Sequence, residues 1–121
     1  MEINNFSIDL NKFIEQKATA LVGRPNGEKL LKSLKENGIL LKEIEVKYDK
    51  IIFVIPNRII IVNKSFFLGL FETRVQELGK EKFLDKYVFS TSDFIKKQFE
   101  EKYIDAALLT NSTEEILGLD G

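Results

Sequence analysis

The sequence predicts an α/β fold: a small mixed β-sheet with helices packed against it. Three observations lead there. Residues Ile51–Ile55 and Ile59–Val62 form continuous apolar, mostly β-branched runs of strand length. Three other stretches repeat apolar residues at helical spacing: Leu30, Leu31 and Leu34, then Phe67 to Leu78, then Phe94 to Ala106. The two patterns alternate along a chain of 121 residues, 44% apolar and 31% charged, a balance suited to one globular domain.

Taken in order, Phe6–Leu10 alternates apolar and polar side chains and reads as a short strand. Leu10, Phe13, Ile14, Ala18 and Leu21 then keep helical spacing with Asp9 as a possible cap, so a helix is expected, although Thr19, Leu21 and Val22 also suit a strand. Gly23–Gly27 is a loop. Asn26 can cap the next helix, which runs from about Gly27 to Asn37 with Gly38 as its stop. Ile44, Val46 and Tyr48 alternate with charged residues, as on a half-exposed strand. The two apolar runs after them suit strands covered on both faces, joined by a tight turn at Pro56-Asn57. Asn63 or Ser65 should cap the next helix, whose stripe is Phe67, Leu70, Phe71, Val75 and Leu78 and whose stop is Gly79. A lysine-rich turn leads to a strand at Tyr87–Phe89. Thr91-Ser92-Asp93 then caps a last helix that should bury Phe94, Ile95, Phe99, Tyr103 and Ala106. The domain therefore covers residues 1–110, and residues 111–121 form an acidic tail.

Composition excludes more than it assigns. With no cysteine and no histidine there are no disulfides, no Cys/His zinc sites, no thiol nucleophile and no imidazole acid–base chemistry. Met1 precedes Glu2, Ile3, Asn4 and Asn5 with neither a basic nor an apolar leader, so a cytoplasmic location is expected. The net charge of −1 supplies no basic field for nucleic acid, and fifteen lysines against three arginines disfavour phosphate forks. Charge is uneven: residues 25–99 carry fourteen bases and ten acids, residues 100–121 one base and six acids.

The motifs that could carry chemistry mostly fail on spacing. Gly23 to Lys29 has three residues between its glycines where a phosphate loop needs four, and Leu30 replaces the hydroxyl residue. The acids sit beside lysines, as in Glu43/Lys42, Glu45/Lys47 and Glu81/Lys80, which is the pattern of a solvated face rather than a paired-carboxylate or metal site. Asp85, just before the Tyr87 strand, reads as surface for the same reason. No catalytic residue, metal ligand or cofactor is expected. Ser65 is the position that stands out. It lies where an apolar strand passes into an apolar helix, and a phosphate there would face the positive end of the helix dipole.

The run Ile59-Ile60-Ile61-Val62-Asn63-Lys64-Ser65-Phe66-Phe67-Leu68-Gly69-Leu70-Phe71, with Val75-Gln76-Glu77-Leu78-Gly79 after it, resembles the STAS-like domain family, which is related to anti-sigma-factor antagonists. Gly23-Arg24, Gly27 and the leucines after them resemble that family's Arg…Gly-helix segment, and the likeness covers residues 20–108 or so. Ile55-Pro56 stands where the family often has Asp-Phe, and Glu43–Tyr48 looks like an extra strand. The resemblance implies a non-enzymatic regulatory module whose partner is a protein, such as a histidine-kinase-like ATPase, and in which Ser65 matches the phosphorylated serine. Asn63, Lys64 and Glu72 would then belong to the partner surface. The alternative is a small phage or mobile-element protein that inhibits a host enzyme or defence system by direct binding. Neither reading involves nucleic acid or a membrane.

Overall fold

The computed structural model describes residues 4–109. The acidic tail expected at 111–121 lies outside them. Strand β1 (Asn5–Asp9) runs into a single 3-10 turn (Leu10–Lys12) and an irregular strap, then into the two-residue strand β2 (Ala20–Leu21). Helices α1 (Arg24–Glu36) and α2 (Leu41–Lys47) come next, then β3 (Lys50–Val54) and β4 (Ile61–Val62). Helix α3 (Lys64–Leu78), helix α4 (Lys80–Lys86) and strand β5 (Tyr87–Ser90) complete the centre of the chain. Helix α5 (Asp93–Gln98) continues through a π-helical stretch (Phe99–Tyr103) and on to residue 109.

The α/β class is the one the sequence predicts. Its sheet, expected to be mixed, pairs in parallel throughout and is divided in two: β1-β3-β5 in one sheet, β2-β4 in the other. Among the described residues every connection between paired strands is a crossover, so no hairpin forms there. The chain does turn at Pro56, where the Ile59 amide donates to the Pro56 carbonyl at 3.0 Å, but the turn sends β4 to a different sheet.

The three-stranded sheet is one-sided. Phe53 of β3 lies level with Ile8 and Phe89, and all three are buried. The alternate row holds Ser7, Ile52 and Val88, of which Ile52 is half-buried and the other two are exposed. Helix α3 closes the core over the buried face. Phe71 packs edge-on to Phe53, Phe83 and Phe89, with ring centroids 5.1 to 5.5 Å apart, and Phe67 meets Phe99 at 4.9 Å. The π stretch brings Phe99, Tyr103 and Ile104 to the same buried side, because its wider turn puts residues five apart in line.

Five local expectations are corrected. Residues 10–21 do not make a helix. After one 3-10 turn the strap is held by Arg58, which donates to the carbonyls of Ala18 (3.0 Å) and Glu15 (2.7 Å) and to the Asn11 amide oxygen. Residues 41–47 are helix rather than strand, since Leu41, Ile44 and Glu45 face inward while Val46 is 86% exposed. The run Ile59–Val62 is not covered on both faces: Ile60 is 67% and Ile61 50% exposed. Residues 80–86 form α4 instead of a turn. Phe94 is 60% exposed in the first turn of α5, and beyond the π stretch, which shifts the phase of the last turns, Ala107 rather than Ala106 is buried.

Candidate functional site

The start of α3 is built by Asn63. Its side-chain oxygen accepts from the Phe66 amide at 3.0 Å, a standard N-cap, and from the Gly23 amide at 3.1 Å. The Asn63 amide in turn donates to the Leu21 carbonyl at 3.0 Å. One residue therefore caps α3 and ties the entry of α1 and the end of β2 to it. Asn26 does not cap α1 as expected. Its amide donates to the Val22 carbonyl at 2.8 Å, and α1 begins three residues early, at Arg24, with Pro25 in its first turn.

With Asn63 as cap, Ser65 is released from that role. Lys64 and Ser65 both occupy the exposed first turn of α3, and the Ser65 hydroxyl makes no hydrogen bond to any described residue. Glu72 lies seven residues on, about 10 Å along the helix axis and on the same face. Its two carboxylate oxygens accept from the two terminal nitrogens of Arg24 at 3.1 and 3.2 Å, a fork-to-fork pair that clamps α1 to α3. Asn63, Lys64 and Ser65 are thus contiguous at the surface, while Glu72 is half-buried and engaged from α1.

An apolar strip flanks this turn. Ala20 pairs with Ile61 and Leu21 with Val62, so the inner pair is buried and the outer pair faces out. Val22 (45% exposed) follows β2 and Ile60 (67% exposed) precedes β4, where its amide donates to the Thr19 carbonyl at 2.8 Å. Three exposed β-branched residues on one short strand pair differ from scattered surface hydrophobics, which need no explanation. The signal in the sequence was present but ambiguous: a four-residue β-branched run fits a buried strand as well as a sticky one.

A second polar cluster lies inside the molecule and escaped the sequence. Glu45, Arg74 and Tyr87 are all buried. The Arg74 Nε donates to Glu45 at 2.8 Å and one terminal nitrogen grips the other oxygen. The remaining terminal nitrogen donates to Glu77 at 2.7 Å, and the Tyr87 hydroxyl donates to Glu45. Burial and the adjacent Glu45 carboxylate push the Tyr87 phenol well above its ordinary range. The Arg74 guanidinium holds exposed Glu77 below the usual carboxylate range. Donors and acceptors in this cluster satisfy one another, and it joins α2, α3 and β5. Glu45 reads as surface only while residues 43–48 are taken as a strand. On a helix it falls beside Leu41 and Ile44.

Asp85 forms a surface contact, with its carboxylate 3.2 Å from the Lys50 ammonium. Among the described residues no group of three carboxylates is placed to hold a metal ion, and no helix is long and apolar enough to cross a membrane. No protein-family model, no curated protein and no solved structure matches the chain.

Proposed function

We propose that this chain is a non-enzymatic regulatory module that binds a protein partner through the first turn of α3 and the apolar strip beside it. The observation that carries the reading is the exposure of Val22, Ile60 and Ile61 on the strand pair that leads into the exposed Lys64-Ser65 turn. Apolar side chains of this size held at the surface lose their hydration cost when a partner covers them, and clusters of them mark protein contacts. The likeness of the Ile59–Phe71 run to STAS-like domains supports the same surface and points to a histidine-kinase-like ATPase as the partner. Ser65 is the switch in this reading. Phosphorylation would add roughly two negative charges at the positive end of a fifteen-residue helix, beside Lys64 and within the contact surface.

The test is affinity capture from the native host with the wild-type chain and with Ile60→Asp/Ile61→Asp. Both substituted side chains are exposed, so the fold should survive. A defined protein retained by the wild type and lost by the double variant supports the reading. Equal retention by both refutes the surface. The captured protein should then distinguish Ser65→Asp from the wild type by about tenfold in Kd, as expected for a change worth one charged contact. An unchanged Kd removes the switch and leaves the binding surface standing.

A further inference from the structure

Two asparagines in the chain stand directly before a glycine: Asn26 before Gly27 and Asn37 before Gly38. A backbone nitrogen can attack the side-chain carbonyl of the asparagine before it, closing a five-membered ring. Glycine permits the approach best, because no Cβ flanks its nitrogen. The fold treats these two dipeptides in opposite ways.

Asn26-Gly27 lies inside the first turns of α1. The Gly27 amide donates to the Gly23 carbonyl at 3.1 Å, and the Asn26 side-chain amide donates to the Val22 carbonyl at 2.8 Å. Gly27 is buried against the backbone of α3, so close that a Cβ on it would lie 2.2 Å from the Phe66 carbonyl oxygen. Turning the Gly27 nitrogen towards the Asn26 side chain therefore requires α1 and α3 to separate. Asn37-Gly38 ends the same helix, and both residues are exposed. Gly38 has a φ of 80° and nothing within 4 Å of its Cβ position. Three bonds close this turn: Gly38 amide to Lys35 carbonyl at 3.0 Å, Ile39 amide to Leu34 carbonyl at 2.9 Å, and Asn37 side-chain amide to Ser33 carbonyl at 2.8 Å. They are the last bonds of a helix, and a helix end opens at a much lower free energy than two packed helices separate.

We propose that Asn37 is a site of spontaneous covalent modification, converting to aspartate and isoaspartate through a cyclic imide, while Asn26 in the same dipeptide is protected by α3. When the last turn of α1 opens, the Gly38 nitrogen attacks Asn37 Cγ. The new N–C bond forms, the Gly38 amide proton is lost, and the Cγ–Nδ2 bond breaks with release of ammonia. Water then opens the ring at one of its two carbonyls. Attack at the side-chain carbonyl gives aspartate. Attack at the main-chain carbonyl gives isoaspartate, whose backbone is one methylene longer. Either product alters the end of α1. A carboxylate cannot donate to the Ser33 carbonyl, and its charge lies at the negative end of the helix dipole. In isoaspartate the added methylene also draws the Gly38 and Ile39 amides away from the Lys35 and Leu34 carbonyls. The link from α1 to α2 loosens as the chain ages. This inference does not depend on the protein-binding role assigned to the Lys64-Ser65 turn.

The test is to incubate the full chain at mildly alkaline pH and digest samples with trypsin, which separates residues 18–29 from residues 36–42. The 36–42 peptide should gain a form about 1 Da heavier. It should do so at least about tenfold faster than the 18–29 peptide, a ratio equivalent to about 1.4 kcal/mol in opening free energy. In urea above the unfolding transition the two peptides should convert at similar rates. Gly38→Ala should slow conversion of the 36–42 peptide by about tenfold, although its turn opens more readily. The aged chain with one added negative charge at Asn37, separated by ion exchange, should melt about 3 °C or more below the unmodified chain. The proposal is overturned if both peptides stay unmodified in the folded chain, if they convert there at equal rates, if the difference survives in urea, if Gly38→Ala leaves the rate unchanged, or if the two charge forms melt together.

Discussion

Glu45 shows how far one residue's environment can depart from its neighbourhood in the chain. It stands between Ile44 and Val46 and two residues from Lys47, yet its carboxylate is buried and receives hydrogen bonds from both Arg74 and Tyr87. A buried carboxylate without such partners would cost several kcal/mol, so the three residues hold together or not at all. Tyr87 links this cluster to pH. Its folded pKa is raised above the unfolded value of about 10, so the stabilisation is fully present below that value and is lost as pH rises beyond it. Tyr103, raised by burial, acts in the same direction. The urea midpoint should therefore hold steady from neutral pH to about pH 9 and fall above about pH 10. Tyr87→Phe should lower stability at neutral pH by about 2 kcal/mol, because it removes a hydrogen bond to a buried carboxylate, and make the alkaline fall shallower without removing it. A midpoint profile that Tyr87→Phe leaves unchanged above pH 10 would contradict this account.

At the scale of elements, the crossing of α1 and α3 depends on two glycines. A Cβ on Gly27 would lie 2.2 Å from the Phe66 carbonyl oxygen, and one on Gly69 would lie 2.3 Å from that of Arg24. These are backbone atoms of the facing helix, so no rotamer relieves the clash and the helices must separate. The Arg24–Glu72 pair and the Asn63 cap would move with them. In an open helix Gly→Ala stabilises by about 1 kcal/mol. Here the sign reverses, and Gly27→Ala should cost about 3 kcal/mol or more, read as a lower midpoint in urea. Gly38→Ala is the contrast. It has positive φ but nothing within 4 Å, so only the backbone penalty of about 1 kcal/mol applies. The apolar stripe of α3 and its Gly79 stop were legible in the sequence. The glycine contact was not, because spacing within one helix carries no information about which helix lies across it.

Across the whole molecule, the order β1-β3-β5 advances in one direction, and right-handed crossovers then place the connecting helices on a single face of the sheet. Burial along β5 reflects this: Tyr87 and Phe89 are buried, Val88 and Ser90 exposed. Parallel sheets are usually covered on both faces, and that rule misleads when applied to runs such as Ile59–Val62. The arrangement makes neighbouring residues of one strand unequal. Val88→Lys should change stability by less than about 1 kcal/mol, whereas Phe89→Ala should cost about 3–5 kcal/mol through the cavity left among Phe53, Phe71 and Phe99. Comparable losses of melting temperature in the two variants would show the outer face to be packed.

Sequence alone sufficed for the alternation at Phe6–Leu10, the helical stripes at residues 30–34, 67–78 and 95–103, the helix stops at Gly38 and Gly79, and the chemistries that the absence of cysteine and histidine removes. Tertiary structure alone decided that Glu45 goes inside, that Ile60 and Ile61 stay outside, and that Arg58 draws residues 11–18 into a strap. Periodicity records which side of an element is apolar. The surface that meets that side is decided by contacts between residues 29 to 48 positions apart, such as Arg74 with Glu45 and Arg24 with Glu72, whose energies exist only once the chain has closed on itself.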